Sequence, residues 1–213
     1  LLNKLGCHSS DTAELSFEDV KVPVTNLLGE EGQGFYYIMN NFQVERLLGA
    51  LLSTAGAELM VGDAINYANT RHAFNKPISK FQVNRHKLAD MVMKVELSKN
   101  YNYHCSWLYQ NGETCIKEIS LAKIYATEIA KEISDQCLQL HGGYGYMEEY
   151  KISRGYRDAR MATIGGGTTE IMREIVAKLV IDEEKMKMSQ MKEFKKWEAG
   201  LAASSTDNKE VID

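Results

Sequence analysis

The sequence of 213 residues predicts a mainly α fold, an antiparallel up-and-down four-helix bundle that follows the last strands of a β domain. Three observations predict it. Only 2 prolines are present to break helices. Apolar residues recur at helical spacing in long stretches separated by short glycine- or asparagine-containing breaks. A single alternating segment stands ahead of the first of these stretches.

In residues 13–24, Ala13, Leu15 and Phe17 share one face, the pattern shifts across Glu18-Asp19, and Val20, Val22 and Val24 continue it. This reads as a strand interrupted by a bulge or turn. A strand pair is not stable alone in water, so the stretch is expected to edge a sheet completed by residues ahead of Leu1. The start at Leu1 rather than Met agrees with a chain whose natural beginning lies further upstream. Residues 29–34 end the strand region.

The first helix is expected over residues 35–69, with Leu48, Leu51, Leu52, Ala55 and Leu59 at helical spacing and Asn40-Asn41 as its weak point. A loop around Asn75-Lys76-Pro77 follows. Leu88, Met91, Val92 and Val95 then give an i, i+3, i+4, i+7 stripe that runs on to about residue 110. A third helix over residues 114–140 carries Ile119, Ala122, Ala126, Ile129 and Ile133, and stops at Gly142-Gly143. At about 1.5 Å per residue each is roughly 40 Å long. A shorter helix over 150–158, the loop Gly165-Gly166-Gly167, and a fourth long helix from Thr168 to beyond Leu179 complete the set. Short connections make neighbouring helices antiparallel. The expected organisation is therefore a β-domain remnant in residues 1–30, the bundle in 31–187, and a polar extension over 188–213 that frays into disorder.

Composition excludes several classes of function. The 25 Lys+Arg are outnumbered by 29 Asp+Glu, giving a net charge of -4 with no basic block, so no nucleic acid is expected. No apolar run is expected to reach the roughly 20 residues of a transmembrane segment. Cys7, Cys105, Cys115 and Cys137 show no CxxC and no histidine at metal spacing, which predicts reduced thiols, no metal and no disulfide framework.

Few residues stand out chemically. Gly165-Gly166-Gly167-Thr168-Thr169-Glu170 runs straight into a helix start, where close backbone approach and the helix dipole favour a phosphate or an oxyanion. The same pattern also suits a plain tight turn. Glu45, between Val44 and Leu47-Leu48, is either an ion-pair partner of Arg46 or another helix, or a desolvated base. His141 suits a helix C-cap, and Tyr36, Tyr37, Tyr144 and Tyr146 suit packing positions with polar tips, some of them lining a cleft.

The segment Asp11-Thr-Ala-Glu-Leu-Ser-Phe-Glu-Asp-Val-Lys-Val-Pro and Leu28-Gly-Glu-Glu-Gly-Gln-Gly-Phe-Tyr-Tyr-Ile-Met resemble the acyl-CoA dehydrogenase family where its middle β domain passes into its C-terminal helical domain. So do Arg71-His-Ala-Phe, Phe81-Gln82, Gln139-Leu-His-Gly-Gly-Tyr-Gly-Tyr and Gly167-Thr-Thr-Glu-Ile-Met-Arg, in the family order. The resemblance implies FAD-dependent oxidation of the α,β bond of a fatty acyl-CoA thioester to trans-2-enoyl-CoA, with electrons passed to an electron-transfer flavoprotein. Many members carry the base immediately before the Gly-Thr of the loop, where this sequence has Gly166. The long-chain and isovaleryl-CoA branches instead take it from the first long helix in a Glu-Arg-Leu context, which Glu45-Arg46-Leu47 matches. The pattern is closest to the long-chain branch.

Carried over residue by residue, the resemblance makes Glu45 the α-proton base and Gly166 a main-chain donor to the thioester oxygen, beside a flavin ribityl hydroxyl. Gln43, Val44 and Arg46 fall along the acyl-CoA, with Gly167 near its thioester and Lys178 where many members have arginine. Arg71, His72, Ala73, Phe81 and Gln82 fall where the family contacts FAD, often that of a neighbouring subunit. Gln139, Leu140, His141, Gly142 and Gly143 fall on another FAD contact, and Thr168, Thr169 and Glu170 on a further one. The family forms homodimers and homotetramers, found in the mitochondrial matrix or the bacterial cytoplasm. Alternatives are a branched-chain member, a degenerate paralogue that binds acyl-CoA or FAD without turnover, and a flavin oxidase. A chain beginning at Leu1 is expected to hold FAD poorly by itself.

Overall fold

The computed structural model describes the backbone of residues 1–207. They form two compact units, 1–173 and Glu174 onward, each described by itself. The first contains three long helices, α1 (Gly34–Thr70), α2 (Gln82–Gln110) and α3 (Ile116–His141), with the shorter α4 (Lys151–Ala162) packed against α3 and α1. Helix α5 (Thr169–Asp207) begins in the first unit and forms the described part of the second.

Side-chain contacts give the helix directions. Asn102 bonds Ala50 O and Thr54, while Ser98, one turn earlier in α2, bonds Thr54, so α1 and α2 run antiparallel. Lys94 pairs with Glu132, and Met91 touches Cys137 farther along α3, which sets α3 antiparallel to α2. Tyr67, near the end of α1, bonds His141 at the end of α3. Helices α1 and α3 therefore run parallel and bring their C-terminal ends to one place.

Local chemistry explains the breaks. Helix α1 ends at a two-stranded hairpin, His72–Ala73 with Lys76–Pro77, whose turn residues Phe74 and Asn75 both have positive φ. Such a two-residue turn matches the twist of the flanking strands, and it replaces the plain loop expected here. Helix α3 stops at Gly142, whose φ of 60° no ordinary helical residue adopts. The Thr168 hydroxyl accepts the Ile171 N–H at 3.3 Å, capping the start of α5.

The core is built on small residues that let helix axes approach. Ala57, Val61 and Ala64 of α1 meet Met91 and Val95 of α2 and Ile129, Ile133 and Cys137 of α3. A second cluster joins Leu47 and Ala50 to Cys105 and to Cys115, Ile119, Ala122 and Ala126. Truncating a fully buried residue such as Ile133 to alanine costs about 2–5 kcal/mol.

Several expectations are corrected. Residues 13–24 form no strand, and Leu15, Phe17, Val20 and Val22 are exposed, because no partner strand pairs with them among the described residues. Asn40-Asn41 does not break α1, whose backbone stays helical through both. The periodic residues Leu48, Leu52, Ala55 and Leu59 face outward, and Ala50, Ala57, Val61 and Ala64 face the core. Apolar residues on both sides of α1 also make part of it apolar enough to cross a membrane by length and composition, with an 18-residue window of mean hydropathy 1.3. Helix continues through the polar segment from residue 188 to Asp207, and 208–213 lie outside the described residues.

Candidate functional site

Two clusters of residues gather at the surface of the first unit. At one, α1 and α3 bring Arg46 and Lys123 against the glycine loop. Arg46 is 6% exposed and its Nε donates to Gly166 O at 3.3 Å, with the guanidinium over the Phe42 ring. Lys123 is 2% exposed and its Nζ donates to Gly167 O. Burial pushes both cations below their ordinary values; Arg46 lowers Lys123 further, and Glu170 opposes that effect. Gly166 and Gly167 have φ of 67° and 99°, which glycine adopts without strain.

Glu45, one residue from Arg46, is exposed and accepts a hydrogen bond from Asn41 Nδ2 at 2.9 Å. It forms no ion pair among the described residues, and the Arg46 head is committed to the loop. Of the two readings open for Glu45, neither is met within this chain: it makes no ion pair with Arg46, although its charge favours the Arg46 cation, and it is exposed rather than desolvated. Gln43 and Val44 are half-buried, and the buried Gln43 Oε1 has no hydrogen-bond partner. Gln43 lines a cleft of about 650 Å³ with Tyr36, Ile116 and Ile119. Thr168 is half-buried, Thr169 buried and Glu170 exposed. The Glu170 carboxyl is held below its ordinary value by its own backbone N–H first and by the Thr168 hydroxyl next.

The second cluster lies where α1 and α3 end, around a cleft of about 500 Å³ lined by Tyr67, Arg71, Ile78, Leu140, His141, Gly142, Gly143, Tyr144 and Met147. His141 is buried, and its Nδ1 lies 2.8 Å from Cys137 O. A carbonyl only accepts, so Nδ1 carries the proton and closes the last turn of α3, as a cap does. Arg71 lies over the Tyr144 ring at 5.7 Å. The Arg71 carbonyl accepts the Ile78 N–H, which ties the hairpin to the end of α1. A Cβ placed on Gly142 or Gly143 would meet nothing within 4 Å, so their backbone is open to an incoming group.

Other expected positions are dispersed. His72 is exposed with Nδ1 on Thr70 O, Ala73 is half-buried, Phe81 lies beneath Lys76, and Gln82 opens α2. Gln139 is exposed beside the half-buried Leu140. Lys178 is an exposed residue of the second unit. Sequence reasoning passed over Lys123 and Tyr67. A lysine inside the apolar stripe of α3, between Ala122 and Ala126, was the available signal for the first; Tyr67 left none.

Residues 32–181 match the acyl-CoA dehydrogenase C-terminal domain family. The chain belongs to the acyl-CoA dehydrogenase family. It is 41% identical over 182 residues to the mitochondrial long-chain specific acyl-CoA dehydrogenase of Rattus norvegicus, an alignment covering 85% of this chain and 42% of that protein. The crystal structure of an acyl-CoA dehydrogenase from Geobacillus kaustophilus superposes with a TM-score of 0.83 at 44% identity, over 84% of this chain and 47% of that one. An acyl-CoA dehydrogenase from Bacillus anthracis, solved in complex with FAD, gives 0.83 at 32% identity over 88% and 35%. The chain thus spans less than half the length of the relatives it matches.

Proposed function

We propose that this chain supplies the C-terminal helical part of an FAD-dependent acyl-CoA dehydrogenase acting on a long-chain fatty acyl-CoA, with Glu45 as the base. One observation carries the reading. The chain has no carboxylate at Gly166, yet it places one at Glu45 on α1, beside the Arg46 that touches the same loop. The identity to the rat long-chain protein supports the choice of substrate class.

The residues present fit FAD. The open backbone of Gly142 and Gly143, with Arg71 beside it, suits a pyrophosphate. Bound FAD would accept the hydride that leaves the β-carbon. Glu45 takes the α-proton, while the Gly166 N–H donates to the thioester oxygen as negative charge develops there. An α-proton of a thioester is too weakly acidic for a carboxylate in water, so the site must exclude water around Glu45. In this chain Glu45 is exposed, which assigns its covering to the bound substrate and to the portions of the protein that the longer relatives also contain. Gln43, Val44 and Gly167 then lie beside the acyl-CoA, and Lys178 serves as a more distant contact. Electron-transfer flavoprotein is the proposed acceptor, and copies of the chain pair so that Arg71 and Phe81 reach a neighbour's FAD.

The test is anaerobic mixing of the flavin-loaded intact protein, of which this chain supplies the helical part, with a long-chain acyl-CoA. Wild type bleaches the flavin rapidly and Glu45→Gln loses at least about 10²-fold in rate. Equal bleaching in the two proteins would remove Glu45 from the role of base, and an oxidised spectrum in wild type would remove the activity.

A further inference from the structure

We propose that Arg46 and Lys123 are a positioning pair that holds the Gly166 N–H in place for the thioester oxygen, Arg46 acting through the loop rather than on the substrate. The inference rests on the reading of the loop as the oxyanion site. It adds Lys123, on α3, to the residues that serve the reaction.

The loop would be mobile on its own account, since Gly165, Gly166 and Gly167 carry no Cβ to restrict them. It is anchored on both sides of the peptide in question. Upstream, the Gly165 N–H donates to Met161 O at 2.9 Å. Downstream, Gly166 O accepts from Arg46 Nε at 3.3 Å and Gly167 O accepts from Lys123 Nζ. The Gly166 N–H lies between these anchors and is given no acceptor of its own among the described residues. With the Gly165 N–H held on Met161 O and the Gly166 carbonyl held by Arg46, the two ends of the Gly165–Gly166 segment are fixed, and the Gly166 N–H between them keeps one direction while Lys123 holds the next carbonyl along.

The energetics explain why cations do this work. Arg46 and Lys123 are buried, and neither meets a carboxylate in an ion pair among the described residues. A buried charge without compensation is expensive. The carbonyls of the loop supply direct compensation, added to the charges of Glu45 near Arg46 and Glu170 near Lys123, and in return the cations select one loop conformation from the many that glycine permits. The pair also places positive potential behind the atoms that meet a developing oxyanion, where a preorganised dipole is worth more than in water. A neutral residue at either position keeps the packing and loses both effects.

A probe that needs the oxyanion site but not the base separates this proposal from the reading of Glu45. Acetoacetyl-CoA ionises to an enolate without oxidation, and its enolate absorbance in the flavin-loaded enzyme is titrated against pH, in wild type and in the Glu45→Gln background. Lys123→Met and Arg46→Gln are expected to raise the pH midpoint of enolate formation by about one unit, a tenfold loss in the equilibrium. Lys123→Arg restores most of it. Affinity for a saturated S-alkyl-CoA thioether, which has no carbonyl to hold, stays within about threefold of wild type in all the variants, because the pair acts only on the carbonyl site. Unchanged midpoints overturn the proposal, as does a loss of thioether affinity equal to the loss of enolate. Should Lys123→Met fail to fold, Lys123→Arg and Arg46→Lys decide it: both retain a charge, and Arg46→Lys, lacking Nε, must raise the midpoint while Lys123→Arg does not. A Glu45→Gln enzyme that bleaches like wild type would defeat the assignment of the base, while the midpoints would still support or overturn the positioning pair.

Discussion

The ring of Tyr67, near the end of α1, lies flat on that of His141, the last residue of α3, with centroids 4.3 Å apart and planes 24° from parallel. The Tyr67 hydroxyl also donates to His141 O at 3.2 Å. Two parallel helices are thereby pinned where they frame the Arg71 cleft. Burial raises the Tyr67 hydroxyl above its ordinary value, with Arg71 opposing the shift, so the group remains a donor at neutral pH. Tyr67→Phe keeps the stack and loses one hydrogen bond, for about 1 kcal/mol. Tyr67→Leu loses both, for about 2 kcal/mol. Urea denaturation of the three proteins checks the order; equal midpoints for the Phe and Leu variants would show that the stack contributes nothing.

The glycine loop gives two adjacent positions with different tolerances. At Gly166 the strain is conformational alone, because a Cβ there meets nothing within 4 Å while φ is 67°. At Gly167 φ is 99°, farther from the left-handed helical region, and a Cβ would come within 2.8 Å of Met172 Cε, so the end of that fully buried side chain must shift. Gly166→Ala should therefore cost about 1–2 kcal/mol, and Gly166→Asn less, since asparagine tolerates the left-handed region. Gly167→Ala should cost more than either and displace the start of α5. Thermal denaturation of the three variants ranks them, and a Gly167→Ala protein as stable as Gly166→Asn contradicts the packing described.

The four cysteines form no disulfide with one another, and Cys105, Cys115 and Cys137 are buried. Burial pushes Cys105 and Cys137 up to about 12, with Cys115 raising Cys105 further and Asp63 raising Cys137, and burial raises Cys115 as well. At pH 8 a thiol at 12 is ionised to about one part in 10⁴. Iodoacetamide at pH 8 should label the half-exposed Cys7 in the native protein and reach the other three only after unfolding. Mass spectrometry of peptides locates the label, and native modification of Cys137 would mean that the α2–α3 core opens readily.

How much of this was legible in the sequence depended on whether a residue's surroundings lie on its own helix. On α3 the stripe Ile119, Ala122, Ala126, Ile129 and Ile133 was both detected and correctly faced, and all five are buried. On α1 the same reasoning found the helix and chose the wrong face. Leu48, Leu52, Ala55 and Leu59 point outward, whereas Leu47, Ala50, Ala57, Val61 and Ala64 point inward, because close packing of α1 against α2 and α3 favours mostly small side chains on its inner face. The alternation in residues 13–24 was real but had nothing to pair with among the described residues. At the site, Glu45 and the glycines could be singled out from local context. The bonds from Arg46 and Lys123 to that loop span more than forty positions each, so no periodicity or motif could announce them.

Lys123 should also leave a signature in the pH dependence of stability. Its folded value lies below the ordinary 10.5, chiefly through burial and then through Arg46. Between the folded value and 10.5 the unfolded chain binds a proton that the folded protein does not, so stability rises with pH across that window. Below the folded value both states are protonated and the full cost of burying the charge persists. Lys123→Met carries no such cost at any pH. Relative to this variant, wild type should thus gain thermal stability as the pH rises through the folded value toward 10.5, after effects common to both proteins cancel in the difference. Calorimetry at a series of pH values follows the difference directly. A constant offset would show that Lys123 titrates at the same pH folded and unfolded, and that burial against Arg46 costs its charge nothing.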